Sequence, residues 1–430
     1  MRRWTRPLAA AAAVVALAAG LFALGAVTGS APQVETSPAA LRPQRSDPIA
    51  ALQETLKRTP GNYRAWAQLG LAYVQQARLT ADPSFYAKAD GAVQKSLSLR
   101  PGDNALALTA AATLASARHD FAGALRFAEK ALALNAFDST TFGVKADALV
   151  ELGRYDEALV AVERMVNLRP GLDAYSRLSY AYELRGNTAQ ARVAMQAAAD
   201  GGSGTDKSFA LHHLGDLAFG EGELVQARKH YDEALTVTPG YAPALLSRAR
   251  VLAAQGDPTA GLAEYREAVQ AQAQPAWFIE LGELLEATGQ KEKAAEQYDV
   301  VRATQQLFAD AGVDVDAELA VFEADHGDPA TAVAQARRAY RERPQAIFVQ
   351  DAYAWALHRA GRSREALPVA KAAVRLGTRQ PQFWYHLGAI AAAAGDTATA
   401  RRALTTSLDL NPAFSPLQAP AAKRLLATLS

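Results

Sequence analysis

Residues 381–412 read PQFWYHLGAIAAAAGDTATARRALTTSLDLNP. Two short helices joined by a tight turn account for this stretch. Trp384, Leu387, Gly388 and Ala391 recur at the three- and four-residue spacing of one helical face. Gly395-Asp396 interrupts that helix, and Ala400, Leu404 and Ser407 mark a face of the next. Pro412 closes the unit, because proline lacks an N–H and disfavours helical geometry in the residue before it.

The same unit returns along the chain. A small residue near the start of each second helix falls at Ala89, Ala124, Ala158, Ala191, Ala227, Gly261, Ala294, Ala332, Ala366 and Ala400. The intervals are 35, 34, 33, 36, 34, 33, 38, 34 and 34 residues. A turn glycine keeps step at Gly153, Gly186, Gly222, Gly256, Gly289, Gly327, Gly361 and Gly395. Each column has a physical reason. Glycine supplies the left-handed conformation that ends a helix without a Cβ clash. Small residues let two helices approach at their crossing, and large ones fill the gaps where they interlock. A bulky residue at Ala158 or Ala400 would overpack such a crossing, at a cost of about 1–3 kcal/mol.

The period and columns resemble the tetratricopeptide repeat. Trp66, Leu69, Gly70 and Tyr73, with Ala89 and Pro101 downstream, carry the likeness in the first unit. Gly153-Arg154-Tyr155-Asp156-Glu157-Ala158-Leu159 and Pro170 carry it in the third, and Leu211, Leu214, Gly215, Ala227, Tyr231, Ala234 and Pro239 in the fifth. Leu281, Gly282, Leu285, Ala294 and Tyr298 match in the seventh. The resemblance implies an all-α solenoid, a right-handed superhelix of about ten helical hairpins spanning residues 48–414, with a capping helix at 415–430. A cap is expected because an open last repeat would leave an apolar face in water.

Several places depart from the pattern. Leu79–Ser84 lengthens the first turn, so the second helix starts near Pro83. The second repeat has Ala111-Ala112 in place of Leu-Gly, and His119 in place of the turn glycine. Gly201-Gly202-Ser203-Gly204 reads as a hinge between two blocks or as a loose loop. The helix before residue 308 runs on, and the eighth repeat begins late. Asp47 and Pro48 suit an N-cap and first turn for a lone starting helix.

Ahead of the array, Arg2, Arg3 and Arg6 precede a 20-residue uncharged run, Leu8–Val27. That is the pattern of an export signal or a retained signal anchor within residues 1–28. Its length favours an anchor, whereas its ten alanines and the small residues at Ala23-Leu24-Gly25 and Thr28-Gly29-Ser30 favour cleavage. Pro32, Pro38 and Pro43 then mark residues 29–47 as a flexible linker. The body is expected outside the cytoplasmic membrane, secreted or anchored by residues 8–27. The excess of arginine over lysine, 34 to 11, reads as the coding bias of a GC-rich bacterial genome.

Charge and composition narrow the function. With 45 basic against 44 acidic residues, the chain lacks the concentrated positive charge that nucleic-acid binding requires. The absence of cysteine excludes disulfides, thiol catalysis and thiolate-bound zinc. No HExxH, phosphate loop, dinucleotide fingerprint or nucleophile elbow occurs. Asp310, Asp314 and Asp316 lack the remaining positions of a calcium loop. His212 and Asp216, four apart on a helix, offer two metal ligands but read as an ordinary polar pair. No catalytic residue, metal or cofactor is therefore expected.

In the family this chain resembles, the first helices of successive repeats line a concave groove where partners lie. Counted in the repeat frame, Tyr180, Glu183, His212, Asp216, Phe219 and Arg250 face that groove. So do Glu283, Asp351, Trp355, His358 and Tyr385, with Trp384 packing inward beside the last. Exposed Trp355, Tyr180 and Tyr385 would serve as contact residues. The alternative is that these aromatics cover neighbouring helices in a tightly wound superhelix. The expected activity is that of a non-enzymatic scaffold binding a protein or peptide, with membrane contact through the N-terminal segment only. An accessory subunit of a cell-envelope transport or assembly machine is the alternative, and a metal-binding or hydrolytic protein the third.

Overall fold

The structure, a computed structural model, describes residues 47–80, 82–310 and 317–429. The arginine-flanked apolar run and the linker lie outside the described residues. Among the described residues every regular element is an α-helix, and there are 22. No described helix is long and apolar enough to cross a membrane.

Helix α1 (Pro48–Arg58) stands alone at the start. The Asp47 carboxylate accepts from the Ile49 N–H at 3.0 Å and caps it, with Pro48 in the first turn. Ten hairpins follow. The first five are α2 (Tyr63–Thr80) with α3 (Ser84–Leu99), α4 (Ala105–Ala117) with α5 (Phe121–Leu134), α6 (Ser139–Glu151) with α7 (Tyr155–Leu168), α8 (Leu172–Glu183) with α9 (Thr188–Gly201), and α10 (Gly204–Gly220) with α11 (Leu224–Val237). The next five are α12 (Ala242–Ala254) with α13 (Pro258–Ala271), α14 (Pro275–Ala287) with α15 (Lys291–Asp310), α16 (Ala317–His326) with α17 (Pro329–Glu342), α18 (Ile347–Arg359) with α19 (Ser363–Ala373), and α20 (Pro381–Ala394) with α21 (Thr397–Leu410). Helix α22 (Gln418–Thr428) ends the stack.

The repeat columns are the packing contacts. Ala89, Ala124, Ala191, Ala227, Ala332, Ala366 and Ala400 have no measurable exposure, and Ala158 and Ala294 have almost none. The Leu-Gly glycine lies under a large residue of the partner helix. A Cβ at Gly215 would sit 2.3 Å from the Tyr231 ring, and one at Gly282 2.3 Å from the Tyr298 ring. Any larger residue there would force the hairpin apart. His119, where the second repeat lacks its turn glycine, itself adopts a positive φ of 63°. Gly327, by contrast, is absent from the positive-φ glycines, so the eighth turn is made another way. One apolar cluster runs from Met195, Ala198 and Ala199 into Ala210, Leu211 and Leu214, so the core continues past Gly201–Gly204.

The array winds far enough to touch itself. The Arg343 guanidinium meets Glu151 at 2.6 Å, and the Ile347 N–H donates to the Tyr155 hydroxyl at 2.8 Å. Gln380 donates to Glu183 at 2.9 Å, Arg379 pairs with Glu221 at 3.0 Å, and Asn411 donates to the Phe219 carbonyl at 2.7 Å. The Arg343, Ile347 and Asn411 contacts all join residues 192 apart, between five and six repeats. Tyr155, Leu184, Ile347, Ala373 and Phe383 give this seam its own apolar cluster. Burial there pushes the Tyr155 hydroxyl up to about 12.

The seam uses glycine for a second purpose. A Cβ at Gly153 would lie 2.2 Å from the backbone carbon of Gln345, and one at Gly186 2.2 Å from the Gly377 oxygen. At Gly256, Gly289, Gly361 and Gly395 a Cβ would meet nothing within 4 Å.

Candidate functional site

Closure of the superhelix turns the expected open groove into a chamber. First helices α8, α10, α12, α14 and α16 line one side, and residues 379–383 and 411–423 of the following turn roof the other. Two adjoining cavities of about 640 and 450 Å³ share Glu183, Asp216, Leu217, Val321, Gln380 and Gln382.

Seven of the eleven expected groove residues line this chamber. Phe219, Arg250 and Glu283 face the larger cavity, Tyr180 and Asp351 the smaller, and Glu183 and Asp216 both. Six of them converge because each sits in the C-terminal half of a first helix and those helices stack side by side; Asp351 comes from the N-terminal half of α18, in the following turn of the superhelix.

The expectation of exposed aromatics at the C-terminal end needs correction. Trp355 is 2% exposed and Tyr385 9%. The Trp355 indole N–H donates to Asp325 at 2.9 Å, and its ring stacks on His386 at 4.0 Å. The chain after α21 folds back over these faces. Phe414 lies 6.0 Å from the Tyr385 ring, Gln418 donates to Asp325 at 3.3 Å, and Ala422 joins the same core. Both aromatics therefore pack against neighbouring helices and the cap. Tyr180 is half-buried, 6.5 Å from the Phe348 ring across the seam. His358 is half-buried and bonded to Ser363 at 2.9 Å, and Asp351 is buried against His386 at 2.8 Å.

Carboxylates outnumber cations in the larger cavity. Glu183, Asp216, Glu221, Glu280, Glu283 and Asp325 face Arg250, Arg379 and Lys423. Arg250 pairs with Glu280 at 2.7 Å and stands 3.7 Å from Asp216, while Arg379 is committed to Glu221. Glu183 accepts from the Gln380 amide, and burial, with Asp216 close by, pushes its carboxyl up to about 7. Burial likewise raises Glu283, partly offset by His326 at 3.5 Å. Burial alone would raise Asp216 too, but His212, Arg250 and His213 outweigh it and hold that carboxyl below its usual range.

His212 is buried behind Asp216, its Nε2 at 3.3 Å from Oδ2, and the neighbouring His213 Nδ1 stands 3.7 Å from the same oxygen. Among the described residues these three form a group whose ligand atoms all lie within 4.8 Å of one another. Sequence reading paired only His212 with Asp216. The His-His doublet was the signal for the third member. The seam residues Glu151, Arg343, Arg379, Gln380 and Asn411 carry no such local signal.

Comparison with known proteins is consistent with this architecture. A tetratricopeptide repeat family model matches residues 47–96, 144–205, 212–276, 246–308 and 353–427, more than half of the chain. Anaphase-promoting complex subunit 7 of Arabidopsis thaliana is 29% identical over 140 residues, 32% of this chain; the match spans 25% of that relative's length. The Cut9–Hcn1 hetero-tetramer of the anaphase-promoting complex aligns over 89% of this chain and 92% of its own, at 14% identity and a TM-score of 0.40. Yeast Tom70 aligns over 84% and 96%, at 15% identity and a TM-score of 0.38.

Proposed function

Because this chain belongs to the tetratricopeptide repeat family, we propose that it is a non-enzymatic interaction scaffold, binding a segment of a protein partner in the chamber inside its superhelix. The observation that carries this reading is the chamber wall. Phe219 and Tyr180 offer aromatic surface there, beside Glu183 and Glu283, whose burial is not matched by cations. Burying a carboxylate's charge is costly, and a bound segment bearing further donors or positive groups would offset that cost. The absence of any recognised catalytic motif in the sequence supports a binding role. The arginine-flanked apolar run at residues 8–27 supports export or tethering to the cytoplasmic membrane.

A photo-crosslinking residue placed at Phe219 in cells tests the site, with Val225 on the exposed outer face as its control; Val225 is 80% exposed. A discrete adduct from position 219, absent from 225, is the expected result. Adducts from 225 alone would refute the chamber as the binding surface. A reporter enzyme active only outside the cytoplasm, fused after Asp47, tests the location; an inactive fusion at normal expression would overturn export.

A further inference from the structure

The cluster on α10 is built as a ligand set. His212 Nε2 and His213 Nδ1 stand 3.3 and 3.7 Å from Asp216 Oδ2, and one ligand atom from each of the three residues lies within 4.8 Å of the others. The two lobes of the Asp216 carboxylate have separate duties. Oδ1 accepts from the Tyr231 hydroxyl at 2.9 Å and from Ser247 at 3.1 Å, and Arg250 stands 3.7 Å from it. Oδ2 is turned to the two imidazoles, at 3.3 and 3.7 Å. We propose that His212, His213 and Asp216 bind one divalent transition-metal ion, zinc foremost, with a free coordination position open to the chamber.

The chemistry of the donors selects the ion. Two imidazoles and one carboxylate are a borderline-soft set, suited to zinc and its neighbours rather than to calcium or magnesium. Zinc bonds of about 2.0–2.1 Å in tetrahedral geometry place ligand atoms roughly 3.3 Å apart. The His212–Asp216 pair already has that separation, and His213 is a few tenths of an ångström beyond it. Tyr231 and Ser247 orient the carboxylate as outer partners of metal ligands do. His212 Nε2 lies 3.0 Å from the Ser247 hydroxyl, which itself donates to Asp216, so metal binding there requires the imidazole proton to sit on Nδ1, an atom with no hydrogen-bond partner of its own. The nearby cation Arg250 is engaged by Glu280 at 2.7 Å. His213 and Asp216 both border the smaller cavity, which leaves room there for water or a partner's side chain.

The inference is independent of the partner-binding role, because the metal is read on the protein alone. Full-length protein stripped with a chelator is titrated with Co²⁺, followed by its visible d–d bands, and then with Zn²⁺ in competition. One equivalent of tetrahedral Co²⁺, displaced by Zn²⁺, is expected. His213→Ala and Asp216→Asn should each weaken binding at least ten-fold, and Tyr231→Phe about ten-fold. His230→Ala, on α11 and outside the cluster, should leave affinity unchanged. Helicity by circular dichroism confirms folding. Should His213→Ala misfold, His213→Gln replaces it, read by the rise in melting temperature that Zn²⁺ gives the wild type and should not give this variant. No tetrahedral Co²⁺ spectrum, or an affinity untouched by the His213 and Asp216 substitutions, overturns the site.

Discussion

Closure of the superhelix is tested by Gly153→Ala against Gly256→Ala. Both glycines sit at hairpin turns with positive φ, 75° and 94°. An alanine there costs about 1–2 kcal/mol from torsion alone. At Gly256 that is the whole effect, because a Cβ would meet nothing within 4 Å. At Gly153 the Cβ would stand 2.2 Å from the Gln345 carbon, 2.3 Å from its oxygen and 2.6 Å from the Ala346 nitrogen. Ordinary contact needs at least 3.4 Å, so the two turns of the superhelix must separate by about 1 Å or more. That movement breaks the hydrogen bond from the Ile347 N–H to Tyr155. A buried N–H left unpaired costs about 1–3 kcal/mol. It also strains the Arg343–Glu151 pair, whose arginine is 6% exposed and whose glutamate is 32% exposed. Loss of a fully buried pair costs about 3–5 kcal/mol, and this one belongs below that range. Gly153→Ala should therefore lose about 2–5 kcal/mol beyond its control. Urea unfolding measures the difference. Small-angle scattering reads the geometry: the radius of gyration should grow in Gly153→Ala with helicity unchanged. Gly186→Ala, facing the Gly377 oxygen at 2.2 Å, should behave like Gly153→Ala. If Gly153→Ala and Gly256→Ala are indistinguishable in stability and in scattering, the seam does not close as described.

Two further predictions follow from burial. The Glu183 carboxyl is raised from 4.5 to about 7, so folding disfavours its charged form. The penalty is absent below the unfolded value, grows between pH 4.5 and 7, and is complete above. Glu183→Gln, which keeps an acceptor for Gln380, should then be more stable than wild type at pH 8 by about 1–3 kcal/mol and equal to it near pH 4. A pH-independent difference would refute this. Trp355→Ala should cost about 3–5 kcal/mol of stability, as a large buried truncation that also strips Asp325 of a donor. A loss below 1 kcal/mol in thermal or urea unfolding would show the indole to be exposed after all.

Much of this molecule is legible along the chain. The turn glycines, the small-residue column and the closing prolines are set by contacts within one hairpin or between neighbours. Each unit therefore records them in its own 34 or so residues. The same locality exposed the lone first helix through Asp47 and the late start of the eighth repeat. Seven of the residues counted inward by the repeat frame line the chamber, because the frame sets which face of a first helix points inward. Trp355 and Tyr385 occupy equivalent inward positions, yet residues 412–422 cover them. That covering depends on where the chain turns after the last repeat, which the frame does not encode.

The repeat columns alone specify an all-helical array of about ten hairpins. That the array closes after 192 residues and encloses a chamber emerges only from the packing of successive repeats. The rotation between adjacent repeats is small and is set by side-chain packing at each crossing. Summed over five to six units, it brings Glu151 to Arg343 and Phe219 to Asn411, pairs that no local pattern links. Closure brings the following turn over the groove, and so sets the burial of Glu183 and of the imidazoles on α10.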